Sequence, residues 1–225
     1  MIKYHPVFPK LSDDIVIWRY MSLDKFIYLL RGKSLFFCRS DRFKDSYECT
    51  LTAMDKKAFH FKDGDEGYWE RERKRNFINC WVESPMELGL MWDSYGKGGV
   101  AIRTTIGNLT ESLSNDKENH VYLGRVQYID EDYESSQHYG SPLNVLKIPM
   151  TKRKYFHQEQ EIRLLLASSE TPPKEEVIGK YIPVDTALLI QEVVIHPNAP
   201  VYYLNIVNEE LSSVGLTLQA RKSRI

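Results

Sequence analysis

Apolar and polar positions alternate along this chain in short blocks, and the period of the blocks changes. In the stretch 14–22, Ile15, Ile17 and Met21 would fall on one strand face and Val16, Trp18 and Tyr20 on the other. Ser22 follows as an N-cap residue type, and Leu23, Phe26, Ile27 and Leu30 then recur at i, i+3, i+4 and i+7. That spacing predicts an amphipathic helix, with Gly32 at the place of a C-terminal stop. Further strands are predicted at 34–40, 78–84, 99–105 and 121–129, and in the runs EIRLLLA, VIGKYIPV and EVVIHP. Tyr155–Ser168 as a whole reads as one core strand. A helix of mixed charge is predicted within 62–79, a short polar one at 107–115 and a last one near 200–214. Ser84, Pro85 and Glu87 have the form of a capped helix start, leading into the stripe Leu88, Met91, Trp92 and Tyr95. Pro-rich turns stand at 172–173 and 197–200.

Most connections are too short for parallel crossovers, so the expected class is α+β, with a mostly antiparallel mixed sheet and short helices. The expected organisation is a single domain, 1–225, with an N-terminal arm at 1–13 and an exposed loop at 131–143.

Charge and composition narrow the function only a little. The net charge is −1, so no global field draws the chain to nucleic acid or to an anionic membrane. Three cysteines in no metal-ligand spacing, no apolar leader and no long apolar stretch point to a cytoplasmic, reducing setting without a membrane partner.

Four constellations carry the chemistry. In Glu159-x-Glu161-x-Arg163, a strand's period of two puts all three charges on one face, with Ile162, Leu164 and Leu166 on the other. Two carboxylates roughly 7 Å apart along a strand can divide binding and catalysis, and Arg163 would keep one ionised. A solvent-facing row of salt bridges is the plainer reading. Arg19, on a strand apolar on both faces, needs an anion: Asp45 or Glu48 within the chain, or a ligand phosphate. Asp45 and Glu48 sit in FKDSYE just after a strand, where a working loop and a simple Asx turn are both natural. In MWDSYGKGG, Trp92 belongs to the core stripe, while Tyr95 at the helix end can reach a cleft; the glycines lack P-loop spacing. The basic run Arg71, Arg73, Lys74 and Arg75 is interleaved with Glu70 and Glu72 and reads as a solvated face.

The order WRY, FKDSYE, NCWVE, MWDSYGKGGVAI and HQEQEIR, over about 15–225, resembles a widespread prokaryotic domain family that has no assigned activity. A weaker resemblance is to the ADP-ribosyltransferase superfamily. It implies that Arg19, with Tyr20, Ser94 and Tyr95, lines an NAD site, Arg19 at a phosphate or ribose. Glu161 would then bind the nicotinamide ribose and stabilise the cation that forms as nicotinamide leaves, and Glu159 would orient the acceptor, a protein or a nucleic acid. Families of this kind carry an association with defence and toxicity. The usual middle motif of that superfamily is not evident, and Ser94 and Tyr95 are its nearest substitutes.

Three functions stay open on the sequence. One is an NAD- or nucleotide-using transferase or glycohydrolase. A second is a Mg²⁺ or Mn²⁺ nuclease or phosphoesterase with Asp45, Glu48, Glu159 and Glu161 as oxygen ligands and Lys44 or Lys154 nearby. The third is a non-catalytic binding or regulatory module in which Arg19 pairs with Glu161.

Overall fold

The structure is a computed structural model that describes residues 2–3, 5–58, 60, 66–113, 119–137, 143–168, 174 and 176–225. In chain order its elements begin with β1 (Ile2–Lys3), β2 (Val16–Met21), α1 (Leu23–Gly32) and β3 (Ser34–Arg39). There follow α2 (Ala53–Ala58), α3 (Glu66–Arg73), β4 (Asn76–Glu83), α4 (Gly89–Ser94), β5 (Val100–Thr105) and α5 (Ile106–Ser112). Next come β6 (Val121–Arg125), β7 (Gln127–Ile129), β8 (Thr151–Arg153) and β9 (Glu161–Ala167). The chain ends with β10 (Gly179–Pro183), α6 (Thr186–Leu189), β11 (Glu192–Ile195), α7 (Tyr202–Ser213) and β12 (Arg221–Lys222).

A ten-stranded sheet runs β1-β6-β9-β4-β2-β5-β11-β12, with β3 and β10 branching from β4, and β7 and β8 form a separate pair. Its pairings are antiparallel except β1–β6 and β11–β12, so the sheet is mixed and mostly antiparallel, as the short connections imply.

The branch at β4 is the feature that shapes the site. One edge of β4 pairs along its length with β9. The opposite edge is shared: β3 takes Phe77 and Ile78, β2 takes Val82 and Glu83, and Asn79–Trp81 lies in the fork between them. Asn79 ties the fork on one side, donating to the Phe36 carbonyl at 2.9 Å.

The sheet is buried on both faces. One face carries the large core, where Ile17, Phe77, Trp81, Ile162 and Leu164 meet Phe26 and Leu30 of α1, Leu109 of α5 and Val207 of α7. Full burial of each such side chain contributes on the order of 1.5–3 kcal/mol. The other face carries two smaller apolar clusters. Trp18, Tyr20, Val82, Met91 and Trp92 form one, and Phe8, Cys49, Ile78, Met150 and Leu165 the other. Gly99 permits the tight return into β5, since a Cβ there would stand 2.1 Å from the Met21 carbonyl oxygen.

Several local expectations are corrected. The helix expected from Ser84 starts at Gly89, because the Ser84 N–H is drawn into the sheet by the Val16 carbonyl and its hydroxyl closes a turn on Met86. The stop of α1 is Lys33 in the left-handed region (φ 42°), with Gly32 inside the helix. The predicted strand 121–129 is split at Val126 into β6 and β7, although the Val126 N–H still continues the β6–β9 register by donating to the Glu161 carbonyl at 2.9 Å. Lys154–Glu159 is a 3-10 helix, so only the second half of Tyr155–Ser168 is strand. Arg73 is buried and donates to the Glu48 carbonyl at 3.3 Å, so that basic run does not simply face solvent. Asp55 in α2 gathers Ser135 and Ser136, and both Ser136 and Gln137 are buried. Residues 62–65, 114–115 and 138–142 and the turn at 172–173 lie outside the described residues.

Candidate functional site

Between the two smaller clusters, on the same sheet face, five charges converge. Register places Glu161 beside Val82 and Arg163 beside Cys80, so Glu161 and Arg163 share the face with Trp18. Arg163 is fully buried. Its Nε and Nη2 grip the Glu161 carboxylate at 2.8 and 3.0 Å, and Nη2 also donates to Glu48 at 2.6 Å. Nη1 donates to the Pro149 carbonyl at 2.7 Å. A bidentate carboxylate, a second carboxylate and a carbonyl are what a buried guanidinium requires.

Lys152 completes the cluster. Its Nζ stands 2.7 Å from Glu159, 3.0 Å from Glu48 and 3.3 Å from Glu161. The residue comes from β8, outside the large sheet, where it pairs in register with Tyr128 of β7. Tyr128 in turn accepts the Glu161 N–H at 2.8 Å. The small two-stranded sheet therefore holds Glu161 by its backbone and by its carboxylate.

Glu159 is not on the strand. Gln160 adopts a left-handed backbone (φ 40°) and turns the chain between the two glutamates. They therefore meet on Lys152 instead of lining a strand face. Cys49, next to Glu48, has φ 59°, so two of the left-handed non-glycine residues adjoin cluster glutamates. Such conformations cost about 1–3 kcal/mol each and collect at functional sites.

The electrostatics follow. Burial would raise the Glu161 carboxyl, but the charge and hydrogen bonds of Arg163, then the charge of Lys152, hold it down at about 2. Burial alone would lower Lys152; Glu161 and Glu48 reverse this and raise it. Cys80 is pushed well up by burial and then by the Glu161 charge, so it is no nucleophile. Tyr95, at the end of α4, places its hydroxyl 3.3 and 3.4 Å from the two Glu159 oxygens. It spans from the Trp92 side of the site to the 3-10 helix, and burial with the neighbouring carboxylates keeps its phenol protonated.

Arg19 is held differently. Its half-buried guanidinium lies in the fork and donates to the Cys80 carbonyl at 2.5 Å, with the Trp81 ring 6.0 Å away. Among the described residues it has no carboxylate partner. Burial lowers its basicity, offset from further off by Cys80, Cys38 and Glu161.

The structure thus brings together Glu48, Glu159, Glu161, Arg163 and Tyr95, while Arg19 lies across β4 from them and on the opposite face of the sheet, beside Trp81. It does not pair Arg19 with Asp45, Glu48 or Glu161; the partner of Glu161 is Arg163. Asp45 stands apart, bound to Arg153 at 2.9 Å and closing an Asx-type bond to the Tyr47 N–H at 3.0 Å. Tyr20 is packed in the Trp92 cluster, its hydroxyl accepting the Leu88 N–H at 2.9 Å. Ser94 is exposed on α4, and among the described residues no bond joins it to the cluster. The arrangement needed by the metal reading is not made. Among the described residues no three His, Cys, Asp or Glu side chains stand as a metal site, and the Lys152 ammonium fills the point where Glu48, Glu159 and Glu161 meet. Lys44 and Lys154 are exposed. Lys152 and Tyr128 were missed by the sequence reading. The basic run Lys152-Arg153-Lys154, just ahead of the acidic pair, was the available signal for the first.

No family model matches the sequence, so the motif order stands as a resemblance, and no curated protein matches it. Among solved structures, that of Thermus sp. 2.9 DarT in complex with carba-NAD+ aligns over 95% of this chain and 97% of its own. The TM-score is 0.41 and the identity 10%. Among the described residues no helix is long and apolar enough to cross a membrane.

Proposed function

We propose that the fork in the sheet is the site of a transferase or glycohydrolase that uses NAD or a related nucleotide, with Arg19 reaching it from the face opposite Glu161. One observation carries this reading: Arg19, half-buried in the fork, has a backbone carbonyl as its partner and, among the described residues, no carboxylate, one strand away from an ionised cluster that leaves the sheet on the opposite face. A guanidinium so placed suits a phosphate, which accepts its planar fork in a bidentate contact. The carboxylates supply negative charge where a ribosyl cation would develop as nicotinamide leaves.

The geometry also redistributes the roles that the ADP-ribosyltransferase resemblance implies. Both Glu161 oxygens are engaged by Arg163, one of them by Lys152 as well, so Glu161 acts as a fixed negative charge. Glu159 has one oxygen on Lys152 at 2.7 Å and only long contacts to Tyr95, so it is the carboxylate free to bind a ribose hydroxyl.

The test is calorimetric titration with ADP-ribose together with an assay of nicotinamide release from NAD. Arg19→Met should weaken ADP-ribose binding by about 10–100-fold, the equivalent of one charged bidentate contact. Glu159→Gln should abolish release and leave ADP-ribose binding largely intact. Wild-type protein that neither binds ADP-ribose nor releases nicotinamide overturns the reading. A second reading, a non-catalytic nucleotide-binding module, is favoured by the complete internal pairing of Glu161, Glu48 and Arg163. It predicts ADP-ribose binding without nicotinamide release.

A further inference from the structure

We propose that Lys152 is the positioning residue of this site, tying Glu159 to Glu48 and Glu161 so that three carboxylates from three chain segments are held together and Glu159 keeps the position that a ribose hydroxyl needs. This rests on the nucleotide reading above and deepens it.

Glu48 lies in the loop after β3, Glu159 in the 3-10 helix and Glu161 on β9. Arg163 reaches two of them, Glu48 and Glu161, and not Glu159. Among the described residues Lys152 is the cation within ion-pair distance of Glu159, and it is the one group that touches all three. Its side chain is only 4% exposed, so water does little to screen the contacts.

An ammonium suits this task better than a guanidinium. It is a compact charge with three rotatable donors, and here it faces three carboxylates from three directions. Without it, three negative charges would face one arginine, and like charges so close either protonate or move apart. Either response would take Glu159 off the position that a ribose hydroxyl needs. Lys152 acts through Glu159 and Glu161, with no contact to the reacting atoms required.

The experiment uses full-length Lys152→Met, with Lys152→Arg as the second variant, which keeps the charge but offers a planar fork that cannot serve three carboxylates. Two readouts are taken. The first is the Glu161 carboxyl titration by carbon-13 NMR, which needs no turnover. The second is kcat and KM for NAD. In Lys152→Met the Glu161 midpoint should rise above that of the wild type, and kcat should fall by about tenfold or more with KM changed less than about threefold. Lys152→Arg should fall between, and it decides the question if Lys152→Met does not fold. A folded variant with an unmoved Glu161 titration, or one with wild-type kcat, overturns the proposal. Absence of NAD turnover in the wild type would instead remove the nucleotide reading, and the Glu161 titration would still decide the role of Lys152.

Discussion

Arg163 and Arg19 stand on β9 and β2, one on each side of β4, and both reach towards Cys80: Arg163 is its register partner, and Arg19 bonds its carbonyl. Their surroundings are opposite. Arg163 is fully buried and satisfied within the chain by two carboxylates and a carbonyl. Arg19 is half-buried, and among the described residues its hydrogen-bond partner is the Cys80 carbonyl, with the Trp81 ring beside it. A charge completed by its own protein is a fixture of the fold, and removing it exposes its partners. A charge left open on the same sheet is available to something else. The difference separates the part of the site that holds its shape from the part that would meet a ligand.

The strongest way to break that contrast is Arg163→Met. It leaves Glu48 and Glu161 with Lys152 as their remaining cation in a buried place. Removing one partner of a buried ion pair costs about 3–5 kcal/mol. Urea denaturation at neutral pH should show a loss of that order. A loss below about 1 kcal/mol, the range of exposed pairs, would mean that water reaches the cluster and that its pairing is weak.

Acid should act on the same region. The Glu161 carboxyl sits at about 2 against an ordinary value of 4.5, held down against burial by Arg163 and Lys152. Its folded value is depressed, so its stabilisation is complete above 4.5 and is lost as pH falls through about 2. A shift of that size is on the order of 3 kcal/mol. Stability measured from pH 6 downward should fall more steeply in the wild type than in Glu161→Gln, which lacks the titrating group. Parallel acid limbs would show that Glu161 is not ionised against Arg163 in the folded protein.

Much of this contrast was legible in the residues, and the failures have local causes. The β2–α1–β3 unit follows from its periods of two and 3.6, and the mixed, mostly antiparallel sheet follows from short connections. Glu161 and Arg163 share a face as the strand period requires. Glu159 was misplaced because a single left-handed residue, Gln160, is invisible to periodicity: glutamine gives no sign of a positive φ. Lys152 was missed because three residues of β8, paired to a three-residue strand elsewhere, carry no pattern of their own. Arg19 was expected to find an anion, and the structure gives it a backbone carbonyl, in a fork that arises from two strands sharing an edge of β4. Such sharing depends on the partners of β4 and not on its own sequence.

The smallest effect on stability should come from Arg19→Met, and it is the sharpest test of the contrast. The guanidinium gives up one hydrogen bond to a backbone carbonyl, worth about 1.5–3 kcal/mol for a charged donor. Against that, the desolvation that lowers its basicity is relieved, and a methionine stem fills the fork beside Trp81 with apolar contact. The two should cancel to within about 1 kcal/mol, with either sign. Thermal unfolding with and without ADP-ribose then reads both halves in one experiment. Wild type should gain stability with ligand by mass action, and Arg19→Met should not. If the unliganded variant instead loses as much as Arg163→Met, then Arg19 is a structural charge like its neighbour, and the fork has no anion to offer it to.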